Sequence, residues 1–225
     1  VAKRSFVWGL GRYLILATAG LLAFVAVVLV ALRFVNPPTS AFMVAHQLSA
    51  DDARVRQNWV ALEDISRWMP RAVVASEDQR FLAHWGVDVN AIQAALDEYR
   101  SGGGLRGAST ITQQTAKNLF LWDGRSLFRK SLEALLAVAI DASWSKQRIM
   151  EVYLNIAEFG RGIYGVEAAS QAFFGISASQ LSPQQAARLA AVLPSPKKMS
   201  AADPTPYLWQ RVRWIQQQMA PLDGF

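Results

Sequence analysis

The chain has 225 residues, about half of them hydrophobic, a formal net charge of +6 and no cysteine. Without cysteine it has neither disulfides nor thiolate metal sites. The charge is not a nucleic-acid signature: four of the twenty-three cations lie at or before Arg33, leaving nineteen against seventeen acids beyond it, whereas nucleic-acid binders spread cations along a broad face.

The first element is Tyr13 to Leu32, twenty residues without a charge, long enough as a helix to cross the ~30 Å hydrocarbon layer. Lys3, Arg4 and Arg12 precede it, and the next charges after Arg33 are acidic. The positive-inside bias puts residues 1–12 in the cytoplasm, residues 13–35 in the membrane as an anchor, and residues 36–225 outside. A cleaved signal is the alternative, but its apolar core runs to only ~7–15 residues, and no small-x-small site follows closely.

Residues 36–225 suit one domain. They read as short helices, all-α, with a small irregular or β element between Pro37 and Val60. Phe42, Met43, Val44 and Trp59 in that segment are expected in the core, the alternative being the membrane surface. Ile92, Ala95, Leu96 and Tyr99 form an i, i+3, i+4, i+7 stripe ending at the glycines after Ser101. Ile149, Val152, Tyr153 and Ile156 repeat that spacing behind Ser145 as N-cap. Ser182-Pro183-Gln184-Gln185 combines an N-cap, a first-turn proline and a capping-box glutamine, and Thr205-Pro206 opens the last helix in the same way.

Three segments carry candidate chemistry. In Ala72 to Phe81, a helix would set Glu77 on a face with Val73, Val74 and Phe81. Such a face desolvates the carboxylate and strengthens it as a base; a simple cap or ion pair is the plainer alternative. Asp78 points elsewhere, and His84 is expected to be structural. In Gly107 to Asn118, Ser109, Gln113 and Lys117 recur every four residues as an uncharged polar stripe ending in one cation, which suits an oxygen-rich ligand. In the third, Glu133 has Arg129 and Lys130 one turn behind it, an arrangement that favours its charged form or is an ordinary surface network. The window from Arg106 to Arg148 holds seven cations against three acids, a local patch for an anionic ligand.

These segments resemble the bacterial peptidoglycan glycosyltransferases of glycosyltransferase family 51, over roughly Met69 to Val192. Glu77-Asp78 with Phe81, His84 and Gly86 matches the first family motif, Gly107 to Asn118 the second, and Arg129-Lys130 with Glu133 the third. Lys146 with Ile149, Glu151, Tyr153, Leu154 and Asn155 matches the fourth, and Gly165 to Ala169 followed by Phe173-Phe174-Gly175 the fifth. Ala108 departs from the pattern, standing where many relatives have a second glycine. The chain stops at Phe225 without room for the transpeptidase of larger members, so the monofunctional branch is expected.

The resemblance implies a lysozyme-like all-α glycosyltransferase domain, periplasmic and held by a single-pass helix in the bacterial inner membrane. It also implies polymerisation of lipid II into β-1,4-linked glycan with inversion and release of undecaprenyl pyrophosphate. Glu77 would be the catalytic base. Lys117, Arg125, Arg129 and Lys130 would stabilise the leaving pyrophosphate, and Ser109, Gln113 and Gln114 would orient sugar or phosphate oxygens. Glu133 would hold the cations in place or help bind a divalent ion such as Mg²⁺; no organic cofactor is implied. Lys146, Glu151, Tyr153 and Asn155 are expected mostly as structural support. The partners implied are lipid II, the growing glycan chain and the membrane, with cell-division or cell-wall synthesis proteins left open and no nucleic acid. Two competing readings are a lytic enzyme that cleaves glycan and a membrane-tethered scaffold without turnover.

Overall fold

The computed structural model describes residues 2–49, 54–103, 107–124 and 126–220, with side chains described from residue 12 onward. The chain divides into two compact units, Val1–Pro37 and Pro38–Phe225. The first is helix α1 (Ala2–Phe34), which continues the apolar stretch in both directions. Its segment Arg12–Phe34 is long and apolar enough to cross a membrane, judged by length and composition.

The second unit is built of nine described helices, α2 (Ala41–Leu48), α3 (Trp68–Glu77), α4 (Val89–Arg100), α5 (Ile111–Phe120), α6 (Leu127–Ser143), α7 (Lys146–Ile156), α8 (Val166–Phe174), α9 (Pro183–Val192) and α10 (Pro206–Met219), with three short strands. The caps are local chemistry. Ser126, Ser145 and Thr205 each accept a backbone N–H of the first turn of α6, α7 and α10. Ser182 with Gln185 closes a capping box on α9, and Thr110 with Gln113 does so on α5.

Helix α7 lies at the centre. Ile149, Met150, Val152, Tyr153, Leu154, Asn155 and Ile156 are all buried, more than one face of a helix holds, so neighbours enclose its last two turns while Gln147 in its first turn is exposed. Helix α5 packs against α6 and α7, while α3 packs against α9 and α10. The run of fully buried Ala186, Ala187, Ala190 and Ala191 has no bulk to hold α9 away from α3.

The strands β1 (Arg56–Gln57), β2 (Glu158–Gly160) and β3 (Ile163–Tyr164) form a sheet in the order β1-β3-β2. β1 runs parallel to β3, pairing Arg56 with Ile163 and Gln57 with Tyr164, and β2 is antiparallel to β3 with a bulge. Only β1 falls in the window where the sequence suggests a β element. Asn155 ties this sheet to α7: its Oδ1 accepts Val60 N–H at 2.8 Å and its Nδ2 donates to Val60 O at 2.8 Å. Gly165, at φ +82°, passes so close to Asn155 that a Cβ would lie 2.8 Å from the Asn155 carbonyl oxygen, which explains glycine there.

The stripe on α4 forms the expected helix, and Val89, Ile92, Leu96 and Tyr99 are exposed; among the described residues no element covers that face. One expectation about burial is corrected. In the segment after Pro38, Met43 is buried, Val44 is exposed, and Phe42 and Trp59 are half-buried; Phe42 instead lines a cavity.

Candidate active site

Glu77 is the last residue of α3. The helix stops there because Asp78 adopts φ −160° and ψ 77° and turns its carboxylate inward. Asp78 Oδ2 accepts the Ile111 N–H at 3.1 Å, at the start of α5, and both of its oxygens lie about 3 Å from His84 Nε2. Behind this pair, Lys146 Nζ donates to Asp141 Oδ2 at 2.6 Å and to His84 O at 2.8 Å. Thr112 donates to the same Asp141 oxygen. His84 and Lys146 are therefore structural: they lock the loop after α3 onto α5 and α6. Gly86 completes the lock at φ +77°, where a Cβ would sit 2.4 Å from Ala137 O.

The termination of α3 overturns the apolar face expected around Glu77. Phe81 belongs to a separate 3-10 turn, and the Glu77 carboxylate meets polar partners. Oε2 accepts from Gln114 Nε2 at 3.0 Å. Oε1 accepts from Ser76 Oγ at 2.9 Å and lies 3.5 Å from Arg211 Nη2 of α10. Gln114 is held in turn, since its Oε1 accepts from Tyr153 Oη at 3.0 Å. Burial, then Glu77 and Asp78, push the Tyr153 hydroxyl well above the usual phenol range, so it stays protonated as a donor. The bond to Tyr153 fixes which end of the Gln114 amide faces Glu77.

One turn along α5 from Gln114 is Lys117, on the same side of the helix. Burial is the largest influence on this ammonium and lowers its pKa; Glu133 opposes that shift and Arg129 adds to it. Lys117 also lies over the Phe42 ring at 5.3 Å. Beside it on α6, Glu133 is buried at 2 % exposure, not part of a surface network. Its Oε2 is 2.6 Å from Arg129 Nη1 and its Oε1 is 2.5 Å from Lys130 Nζ. Lys130 continues to Ser109 Oγ at 2.7 Å. With both oxygens so engaged, Glu133 is a clamp for two cations. Among the described residues no three His, Asp or Glu side chains converge.

The remaining expected site residues divide. Gln113 is buried, and its amide oxygen accepts the Thr110 N–H at 3.0 Å; it caps α5 rather than facing a ligand. The four-residue spacing misleads because the helix begins only at Ile111. Arg125 lies outside the described residues. Sequence reasoning missed Ser76 and Arg211, and gave Tyr153 too small a part.

The hydrogen-bonded pair Glu77 and Gln114 contributes one residue to each of two cavities. One, of about 250 Å³, is lined by Ser76, Glu77, Arg80, Ser109 and Trp214 among others. The other, of about 340 Å³, is lined by Phe42, Gln114, Lys117, Tyr153, Lys197 and Lys198 among others. A carboxylate able to take a proton thus faces one cavity, while three lysines line the next.

Known proteins are similar to this chain over most of its length. The transglycosylase family model matches residues 44–220. The chain is 57% identical over 212 residues to a biosynthetic peptidoglycan transglycosylase of Marinomonas sp. (strain MWYL1), covering 94% of this chain and 92% of the relative. It is 58% identical over 190 residues to one from Shewanella frigidimarina (strain NCIMB 400), covering 84% and 82%, and 51% identical over 219 residues to one from Pseudomonas putida (strain KT2440), covering 96% and 91%. With matches of this length and a carboxylate set beside a cation cluster, the chain belongs to the transglycosylase family.

Proposed function

We propose that this protein is a peptidoglycan glycosyltransferase of cell-wall synthesis that polymerises lipid II into β-1,4-linked glycan and releases undecaprenyl pyrophosphate. The observation that carries the reading is the spacing on α5: Gln114 binds the Glu77 carboxylate, and Lys117 of the cation cluster lies three residues on, ~4.5 Å along the helix axis. That spacing suits a base and an anion-stabilising group acting on opposite sides of one reacting carbon.

The 4-hydroxyl of the acceptor N-acetylglucosamine is a weak nucleophile. Glu77 removes its proton as the oxygen attacks the anomeric carbon of the growing chain's reducing-end sugar. The bond to the pyrophosphate oxygen breaks on the opposite face, so an α-linked donor gives a β product without a covalent intermediate. Negative charge builds on the departing pyrophosphate. Lys117 and Lys130 neutralise it, with Arg129 in support and Arg125 assigned by family resemblance. The cations are already oriented by Glu133 and do not reorganise as the charge develops. Ser109, bonded to Lys130, and Gln114 orient substrate oxygens.

Both substrates carry polyprenyl tails, which agrees with a domain working at a bilayer. Residues 13–35 serve as the inner-membrane anchor, with the catalytic domain on the periplasmic side, as the cations before Tyr13 favour. The uncovered apolar faces of α4 (Val89, Ile92, Leu96, Tyr99) and α6 (Leu127, Phe128, Leu135, Val138) support a position against lipid.

The test is conversion of lipid II to polymer by the full chain in detergent. Glu77→Gln, close to isosteric, lowers the rate by about 100-fold or more while the melting temperature is retained. Release of fragments from finished glycan without polymerisation would identify a lytic enzyme instead, and an unchanged rate in Glu77→Gln would remove Glu77 as the base.

A further inference from the structure

Ser76 precedes Glu77 on α3, and successive residues on a helix point ~100° apart, so their side chains seldom meet. Here they do. Ser76 Oγ is 2.9 Å from Glu77 Oε1 and receives a hydrogen bond from Arg211 Nη2, also at 2.9 Å. A hydroxyl has one proton to give. Arg211 fills one of its lone pairs, and the proton goes either to Glu77 Oε1 or to Ala190 O at 3.4 Å. The shorter distance and the carboxylate's charge select Glu77.

Arg211 itself stands 3.5 Å from the same oxygen, at the outer limit of a hydrogen bond. Its stronger connection to Glu77 therefore passes through the serine. An arginine placed only to pin α10 onto α3 would be expected to satisfy its donors, yet Arg211 Nε is buried with no hydrogen-bond partner among the described residues. Such an unsatisfied group calls for a specific reason. Ser76 also lines the same cavity as Glu77.

We propose that Ser76 and Arg211 are positioning residues for Glu77. Arg211 orients the Ser76 hydroxyl, the hydroxyl fixes Oε1, and Gln114 fixes Oε2 from the other side. The carboxylate then meets the acceptor hydroxyl in a single orientation. The assignment rests on the reading of Glu77 as general base. It makes α10, beyond the segments that carry the family motifs, part of the catalytic machinery.

The experiment measures kcat and KM for lipid II with the full chain in detergent for wild type, Ser76→Ala, Ser76→Thr, Arg211→Gln, Arg211→Lys and the double variant Ser76→Ala/Arg211→Gln. Ser76→Ala and Arg211→Gln each lower kcat about 10- to 100-fold, with KM within about twofold of wild type. Ser76→Thr, which keeps the hydroxyl, restores most of the rate. The double variant falls no more than about twofold below the poorer single one, because both changes break one chain of hydrogen bonds. A melting temperature retained in Ser76→Thr and Arg211→Lys shows that the fold tolerates both sites.

Full kcat in Ser76→Ala, losses that multiply in the double variant, or a raised KM with unchanged kcat would each overturn the assignment while leaving Glu77 as the base. If wild type turns over but Glu77→Gln does so equally well, the base assignment fails and this one falls with it.

Discussion

Tyr153→Phe isolates one atom. The phenol oxygen is all that is lost, from a side chain with no exposed surface, so packing is preserved. Its one described hydrogen bond runs to Gln114 Oε1 at 3.0 Å, and Gln114 is half-buried. Water reaches the orphaned amide oxygen in part, so the stability cost lies near the low end for a lost buried partner, about 1 kcal/mol. The effect on turnover is larger. Without Tyr153 the amide is free to turn its oxygen towards Glu77, replacing a donor to a carboxylate with a repulsive contact. A hydrogen bond to a charged group is worth about 1.5–3 kcal/mol, which corresponds to roughly 10- to 150-fold in rate. Initial rates of lipid II polymerisation, read beside thermal denaturation, separate the two effects. Wild-type kcat in a variant whose melting point has dropped would show that Tyr153 only supports the core and would refute the Tyr153–Gln114–Glu77 chain.

Two further outcomes are expected. Burial lowers the Lys117 pKa below the ordinary 10.5, so its ammonium loses its proton, and activity declines on the alkaline side, at a lower pH than an exposed lysine would allow. Lys117→Arg, cationic throughout, moves that alkaline limb to higher pH whatever its effect on the maximal rate, and an unmoved limb in pH–rate profiles would assign it to another group. The sign for stability agrees: a depressed lysine pKa means the charged form is disfavoured in the folded state, so this residue's contribution improves as pH rises through the folded value towards 10.5. Gly86→Ala forces a Cβ to 2.4 Å from Ala137 O at φ +77°, with no flexible side chain to yield. It should cost more than about 2 kcal/mol, seen in urea denaturation; a wild-type midpoint would refute the close packing of this turn.

What was legible in the sequence was local. The N-caps at Ser145, Ser182 and Thr205 lie where the sequence puts them, because a cap is decided by residues within one turn. The strands β2 and β3 were not legible: at two or three residues they are too short for any alternation to register. The reading of Glu77 with Phe81 failed because α3 ends at Glu77, and what ends it is the reach of Asp78 to Ile111, thirty-three residues away. Gln113 was misread for a related reason, since its spacing from Ser109 has no helical meaning when the helix starts between them. Arg211 comes to Ser76 only through packing across 135 residues of chain, and nothing in the composition of α10 marks that one cation among its neighbours.

The enclosure of α7 has a kinetic meaning. The backbone amides of its buried last two turns exchange with solvent deuterium when several helices move aside together, so they report global opening of the second unit rather than local fraying. Tyr153 is anchored in that helix. The orientation of the Gln114 amide is therefore tied to the opening of a buried helix, and the wall behind Glu77 acts as fixed tooling against which a substrate must align.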